Sequence, residues 1–160
     1  MALRSVYLET TIVSYLVARP SRSVLLAAHQ KTTKEWWANR RRDFDLFVSQ
    51  VVIDEAAAGE KAKAEERLTL IVGLPLLEIE EEATRLARAL TEKGPIPAKA
   101  ARDALHLAAA AVHGMDFLLT WNCKHLANAE MAGRVDRIVL RHGFKPPRIC
   151  TPEELMGGAV

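Results

Sequence analysis

The sequence predicts a three-layer α/β/α domain built on a central parallel sheet of four to five short strands. Three features of the 160 residues lead there. Short β-prone runs alternate with helix-length segments. Glycine and proline fall at the seams between them. No repeat, low-complexity tract or Ser/Gly/Pro-rich linker divides the chain, so residues 1–160 are expected to form one domain. Strands separated by helices need crossover connections, and crossovers cover both faces of a parallel sheet.

Val6-Tyr7-Leu8 is the first strand, ending at Glu9, and Thr10 or Thr11 is placed to cap a helix through Leu16. Pro20 breaks the chain before a second helix, about Ser23 to Arg40. Phe47-Val48-Ser49 reads as the second strand, followed by a helix through Ala58 that Gly59 closes. A charged helix, Lys61 to Val72, leads to a third apolar strand, Leu74–Ile79, with Pro75 near its start. Glu80, Glu81 and Glu82 suit a first helical turn, where acidic side chains oppose the dipole, and Gly94 ends that helix. Pro97 favours the start of the next helix, which is rich in alanine and runs to Gly114. Asp116–Thr120 is a buried-type strand, Lys124–Arg141 is mainly helical, and Arg148-Ile149-Cys150 is a last edge strand.

Composition narrows the class without naming a function. Hydrophobic residues make up 49% and charged residues 26%, the proportions of an ordinary globular chain. A net charge of +2 permits a nucleic-acid partner and does not demand one. The arginines are nevertheless grouped, at Arg40–Arg42 and at Arg134, Arg137 and Arg141. Cys123 and Cys150 are the only cysteines and show no metal-ligand spacing, so two reduced thiols are expected. The longest apolar stretch, Leu70–Leu77, is interrupted by Gly73 and Pro75 and does not reach membrane-spanning length. Glu9 falls where a signal peptide would need its apolar region, so a cytoplasmic protein with no membrane partner is expected.

In an open parallel sheet, ligands bind outside the carboxyl ends of the strands. Glu9 follows the first strand directly, and Asn122 follows the strand ending at Thr120. Glu55 lies in the helix after the second strand, and Asp103 in the helix feeding the fourth. These four side chains can meet at one rim. Crowded carboxylates repel, and a hard cation such as magnesium or manganese resolves that cost with oxygen ligands alone.

The same segments resemble a known family. Val6-Tyr7-Leu8-Glu9-Thr10-Thr11-Ile12 resembles the opening of PIN domains, where a strand ends in an acid followed by Thr. Ser49 through Glu55 resembles their second motif, a Ser and then a helical Glu. Asp103-Ala104-Leu105-His106-Leu107-Ala108 resembles the third, an Asp opening an alanine-rich helix. Leu118 through Leu126 resembles the fourth, a strand, a Thr and then an acid or Asn. The order and spacing, from about Val6 to Cys150, are similar to those of VapC-type toxins of type II toxin–antitoxin pairs.

The resemblance implies a Mg2+- or Mn2+-dependent endoribonuclease that hydrolyses phosphodiester bonds in RNA, works as a homodimer, and is silenced by a small antitoxin protein. It implies Glu9, Glu55 and Asp103 as metal ligands and Asn122 as an auxiliary catalytic contact; beside them, the chemistry and position of Thr10, Thr120, His106 and Trp121 make these the candidates for the substrate side. Two positions depart from the pattern. Glu9 stands where the family has Asp and is one methylene longer; Asn122 keeps an oxygen donor but lacks the charge.

Each candidate also has a plain structural reading. Glu9 can serve as a helix-cap acid and Asp103 as a solvent-facing residue. Asn122 can be a turn or cap, His106 a locally satisfied helix histidine, and Trp121 a core aromatic. Thr10, Thr11 and Thr120 can hold the acids or cap helices. Trp36 and Trp37 beside Arg40–Arg42 suit an RNA surface, though one packed indole with solvated arginines is the preferred reading. The alternative to a nuclease is a PIN-fold module that binds a protein or RNA with weakened catalysis. Other phosphohydrolases lack support: there is no P-loop, no GxGxxG and no DxD after the first strand.

Overall fold

The computed structural model describes residues 2–157, and within them five parallel strands form one sheet in the order β3-β2-β1-β4-β5. Met1 and residues 158–160, which the expected domain limits include, lie outside the described residues. The strands are β1 (Arg4–Leu8), β2 (Phe44–Ser49), β3 (Leu76–Leu77), β4 (Phe117–Leu119) and β5 (Arg148–Cys150). Seven helices flank them: α1 (Thr10–Val17), α2 (Val24–Asn39), α3 (Gln50–Ala56), α4 (Lys61–Ile71), α5 (Glu81–Glu92), α6 (Ala101–Val112) and α7 (Ala129–Arg141). This is the expected three-layer α/β arrangement.

The chain starts in the middle of the sheet, builds outward through β2 and β3, then crosses to the other side of β1 to add β4 and β5. That reversal makes the β1/β4 seam a switch point, with a crevice at its carboxyl end. Val6, Tyr7 and Leu8 are fully buried, as are Leu118 and Leu119, which fits a central seam covered on both faces. The ladder continues past the strand ends: the Glu9 N–H donates to Leu119 O at 3.1 Å, and Thr120 N–H to Cys150 O at 2.9 Å. At the opposite end, Asp116 accepts from the Ser5 N–H at 2.8 Å and from its hydroxyl at 3.1 Å, while Asp116 N–H donates back to Ser5 Oγ at 3.0 Å.

Several boundaries differ from expectation. β2 begins at Phe44, three residues early, because Phe44 packs into the core against Trp36 and Phe117 while Asp45 faces outward. β3 shrinks to two residues; Pro75 lacks an N–H, and only its carbonyl joins the ladder, accepting from Val48 N. The helix expected from Pro97 begins with a single 3-10 turn, Ala98–Ala100, before α6. Lys124–Asn128 is a run of turns, held by Asn122, whose Oδ1 accepts from His125 N and whose carbonyl accepts from Leu126 and Ala127. Among the described residues no helix is long and apolar enough to cross a membrane.

Candidate functional site

Glu9 is the residue that stops β1 and starts α1. Its backbone is extended, and its side chain caps the helix by accepting from Thr11 N at 3.0 Å through Oε2. The cap is therefore Glu9 itself, where Thr10 or Thr11 was expected. Oε1 accepts from the hydroxyls of Thr11 at 2.6 Å and Thr120 at 2.5 Å. A buried carboxylate is costly without such donors, and three of them meet this one. Thr120 thereby bridges the end of β4 to the end of β1. Its own oxygen accepts from Asn122 N at 2.9 Å.

Glu55 lies in the second turn of α3, at the end of neighbouring β2. One oxygen, Oε1, accepts from Thr10 Oγ1 at 2.8 Å and from His106 Nε2 at 2.5 Å. Partial burial pushes its carboxyl up. The His106 and Thr10 hydrogen bonds and the Arg102 guanidinium outweigh that and hold it below the usual glutamate value. Oε2 has no hydrogen-bond partner among the described residues.

Asp103 sits in the first turn of α6 and is partly buried. Its carboxylate makes no hydrogen bond or ion pair among the described residues. It precedes His106 by three residues, so the two share a helix face about 4.5 Å apart along the axis. Glu9, Glu55 and Asp103 thus border one end of the sheet, with Glu9 and Glu55 joined through Thr10.

The residues expected at the substrate have other partners. Thr10 holds Glu55 and Thr120 holds Glu9, and both hydroxyls are buried. His106 is fully buried between Glu55 and Tyr7, out of reach of any substrate. Trp121 is buried too: its ring stacks on His29 at 4.0 Å, its Nε1–H donates to Thr33 at 2.7 Å, and its backbone N–H donates to Thr11 at 2.9 Å. Asn122 is a turn residue. Trp36 is a core indole donating to Leu155 O, and Arg41 lies over the ring of Trp37. Both cysteines are free thiols.

Sequence reasoning read Tyr7 only as a strand residue and Ser49 only as the opening of a motif, and gave neither hydroxyl a partner. The Tyr7 hydroxyl lies 2.6 Å from His106 Nδ1 and 2.7 Å from Ser49 Oγ, all three side chains fully buried. In the structure Ser49 is the N-cap residue of α3 without using its hydroxyl as the cap.

The fold is that of a described family. The PIN-domain family model matches residues 6–124, most of the chain and every one of these acids. The chain belongs to the PIN-domain family. Among solved structures, this PIN domain is similar to VapBC2 from Rickettsia felis bound to a DNA fragment from its promoter, at 15% identity and a TM-score of 0.58. That likeness covers 92% of this chain and 98% of the other. It is also similar to VapC20 of Mycobacterium tuberculosis, described as a sarcin–ricin loop cleaving toxin, at 14% identity and a TM-score of 0.52. There 71% of this chain and 86% of the other are covered. At these identities the likeness is one of fold. No curated protein matches the PIN domain in sequence.

The donor chemistry suits a hard divalent cation, since the three acids offer oxygen only and Glu55 Oε2 and Asp103 are unengaged. The acids do not stand as a compact cluster: among the described residues no group of three His, Cys, Asp or Glu side chains lies at metal-holding distances.

Proposed function

We propose that this PIN domain is a divalent-metal-dependent endoribonuclease and the toxin of a type II toxin–antitoxin pair. The observation that carries the reading is the Thr10–Glu55 hydrogen bond, which joins the residue after Glu9 to the second acid across the ends of β1 and β2. Glu9, Glu55 and Asp103 would hold magnesium or manganese, and Asn122 would be an auxiliary contact at the same rim. A cation there would acidify a water and stabilise charge on a phosphate during in-line displacement.

The chain's own residues have definite roles in this scheme. Thr11 and Thr120 aim the Glu9 carboxylate by donating to it. Thr10 does the same for Glu55. Single-stranded or looped RNA is the proposed substrate, because its phosphodiesters are accessible without opening a helix. A small antitoxin and a homodimeric state belong to the same proposal; one similar structure is described as a VapBC assembly.

A second reading, a PIN-fold binding module with weakened catalysis, is favoured by the three donors already on Glu9. One experiment separates the two. The purified chain is incubated with structured RNA in magnesium or manganese, with and without chelator, alongside manganese calorimetry. Cleavage that stops in chelator, with saturable binding, is the expected result. RNA left intact and no saturable binding would leave the binding module.

A further inference from the structure

We infer that His106 is a positioning residue for Glu55: its Nε2–H holds Oε1, Tyr7 and Ser49 fix the imidazole in that tautomer, and Oε2 is thereby turned to the ligand. The inference rests on the reading of Glu55 as a metal ligand.

The argument starts from which atoms can donate. An ionised carboxylate only accepts hydrogen bonds, so the proton between Glu55 and His106 belongs to Nε2. On a neutral ring Nδ1 is then an acceptor, and the atom facing it at 2.6 Å is the Tyr7 hydroxyl, which must donate. The Tyr7 oxygen in turn accepts from Ser49 Oγ at 2.7 Å. The chain Ser49–Tyr7–His106–Glu55 therefore runs in one direction, and Glu55 sets it.

Position strengthens the case. Tyr7 comes from β1, Ser49 from the end of β2 and His106 from α6, so three elements of the core converge on one carboxylate oxygen. The Tyr7 and His106 rings meet edge to face, 5.7 Å apart at 65°, which restrains rotation of the imidazole. None of the three polar side chains reaches solvent, and placing them in the interior is costly unless each is paired. With Thr10 on the same oxygen, Oε1 is saturated and Oε2 is the one left free. Orienting partners of this kind are what fix a ligand side chain before its ion arrives.

Two measurements test the inference. Nitrogen-15 NMR of the wild-type imidazoles should show His106 with a protonated Nε2 and an unprotonated Nδ1. A proton on Nδ1 would overturn the assignment. Manganese calorimetry on His106→Gln and His106→Asn forms the second arm. Gln keeps an N–H near the Nε2 position and should bind within about threefold of wild type, whereas Asn is too short to reach Glu55 and should lose about 10–100-fold. Equal losses in both variants, or wild-type affinity in His106→Asn, would overturn the positioning role. If the wild-type chain itself shows no saturable binding, the metal reading fails, and the NMR result alone decides whether His106 holds Glu55.

Discussion

Thr10 Oγ1 donates to Glu55 Oε1 at 2.8 Å, so the first turn after β1 is tied to the helix after β2 by one hydroxyl. The link makes the spacing of the two acids depend on a residue that offers no charge of its own. Thr10→Val keeps the shape and removes the donor. Manganese affinity measured by calorimetry should fall about 10-fold in that variant, as expected for loss of an orienting partner. Unchanged affinity would show that the link is incidental.

Thr120 is a stability residue at the same rim. Thr120→Val removes a donor from buried Glu9 and the acceptor of Asn122 N–H. Leaving such groups unpaired costs about 1–3 kcal/mol. In a chain of this size each kcal/mol lowers Tm by about 2–4 °C. Differential scanning calorimetry reads the shift; a Tm equal to wild type would argue against the clasp.

Asp103 should behave in the opposite way. Its carboxylate makes no hydrogen bond among the described residues, so Asp103→Asn should change stability by no more than about 0.5 kcal/mol. RNA cleavage in manganese should nevertheless be abolished. Full cleavage in a normally folded variant would remove Asp103 from the site.

Acid should weaken the fold partly through Glu55. Its folded carboxyl lies below the usual glutamate value, so the unfolded chain binds the proton first as pH falls. The stabilisation is complete above the unfolded value, about 4.3, and is lost as pH drops through the lower folded one. Urea unfolding between pH 3 and 7 should give a steeper acid loss in wild type than in Glu55→Gln. Matching slopes would contradict the depressed carboxyl.

The thiols should differ in reactivity. Cys123 is exposed, whereas burial pushes the Cys150 thiol up to about 12, leaving almost no thiolate near neutrality. Iodoacetamide at pH 8 should label Cys123 and spare Cys150, read by peptide mass spectrometry. Labelling of Cys150 at a comparable rate would mean that β5 opens readily.

Much of the architecture was legible because apolar runs and their punctuation are local. Val6–Leu8 and the strand ending at Thr120 stood out as such, and Gly59 and Gly114 marked helix ends; both adopt positive φ. β2 was read short because Asp45 and the preceding arginines disguised a strand with one exposed residue. Lys124–Asn128 was misread because Asn122 diverts its backbone into turns, a contest that propensity does not register.

Within the site, acids were visible as residue types in order. Their partners were not. Tyr7, Ser49 and His106 are separated by 42 and 99 residues along the two hydrogen bonds of Tyr7, and nothing in a strand tyrosine announces that its hydroxyl is spoken for. For His106 and Trp121 the sequence left a substrate contact and a packed interior role both open, and packing of α6 and α2 buries both side chains.

The central seam is fastened at each extremity, by Ser5 with Asp116 at one and by Glu9 with Thr120 at the other. Sliding β4 along β1 by a residue would break both fastenings and turn Leu118 and Leu119 to the wrong faces. A bulky guest therefore cannot be admitted by parting these strands. Room for it has to come from the periphery, from α2 beside Trp121 or from the turns between Lys124 and Asn128, while the floor beneath stays still.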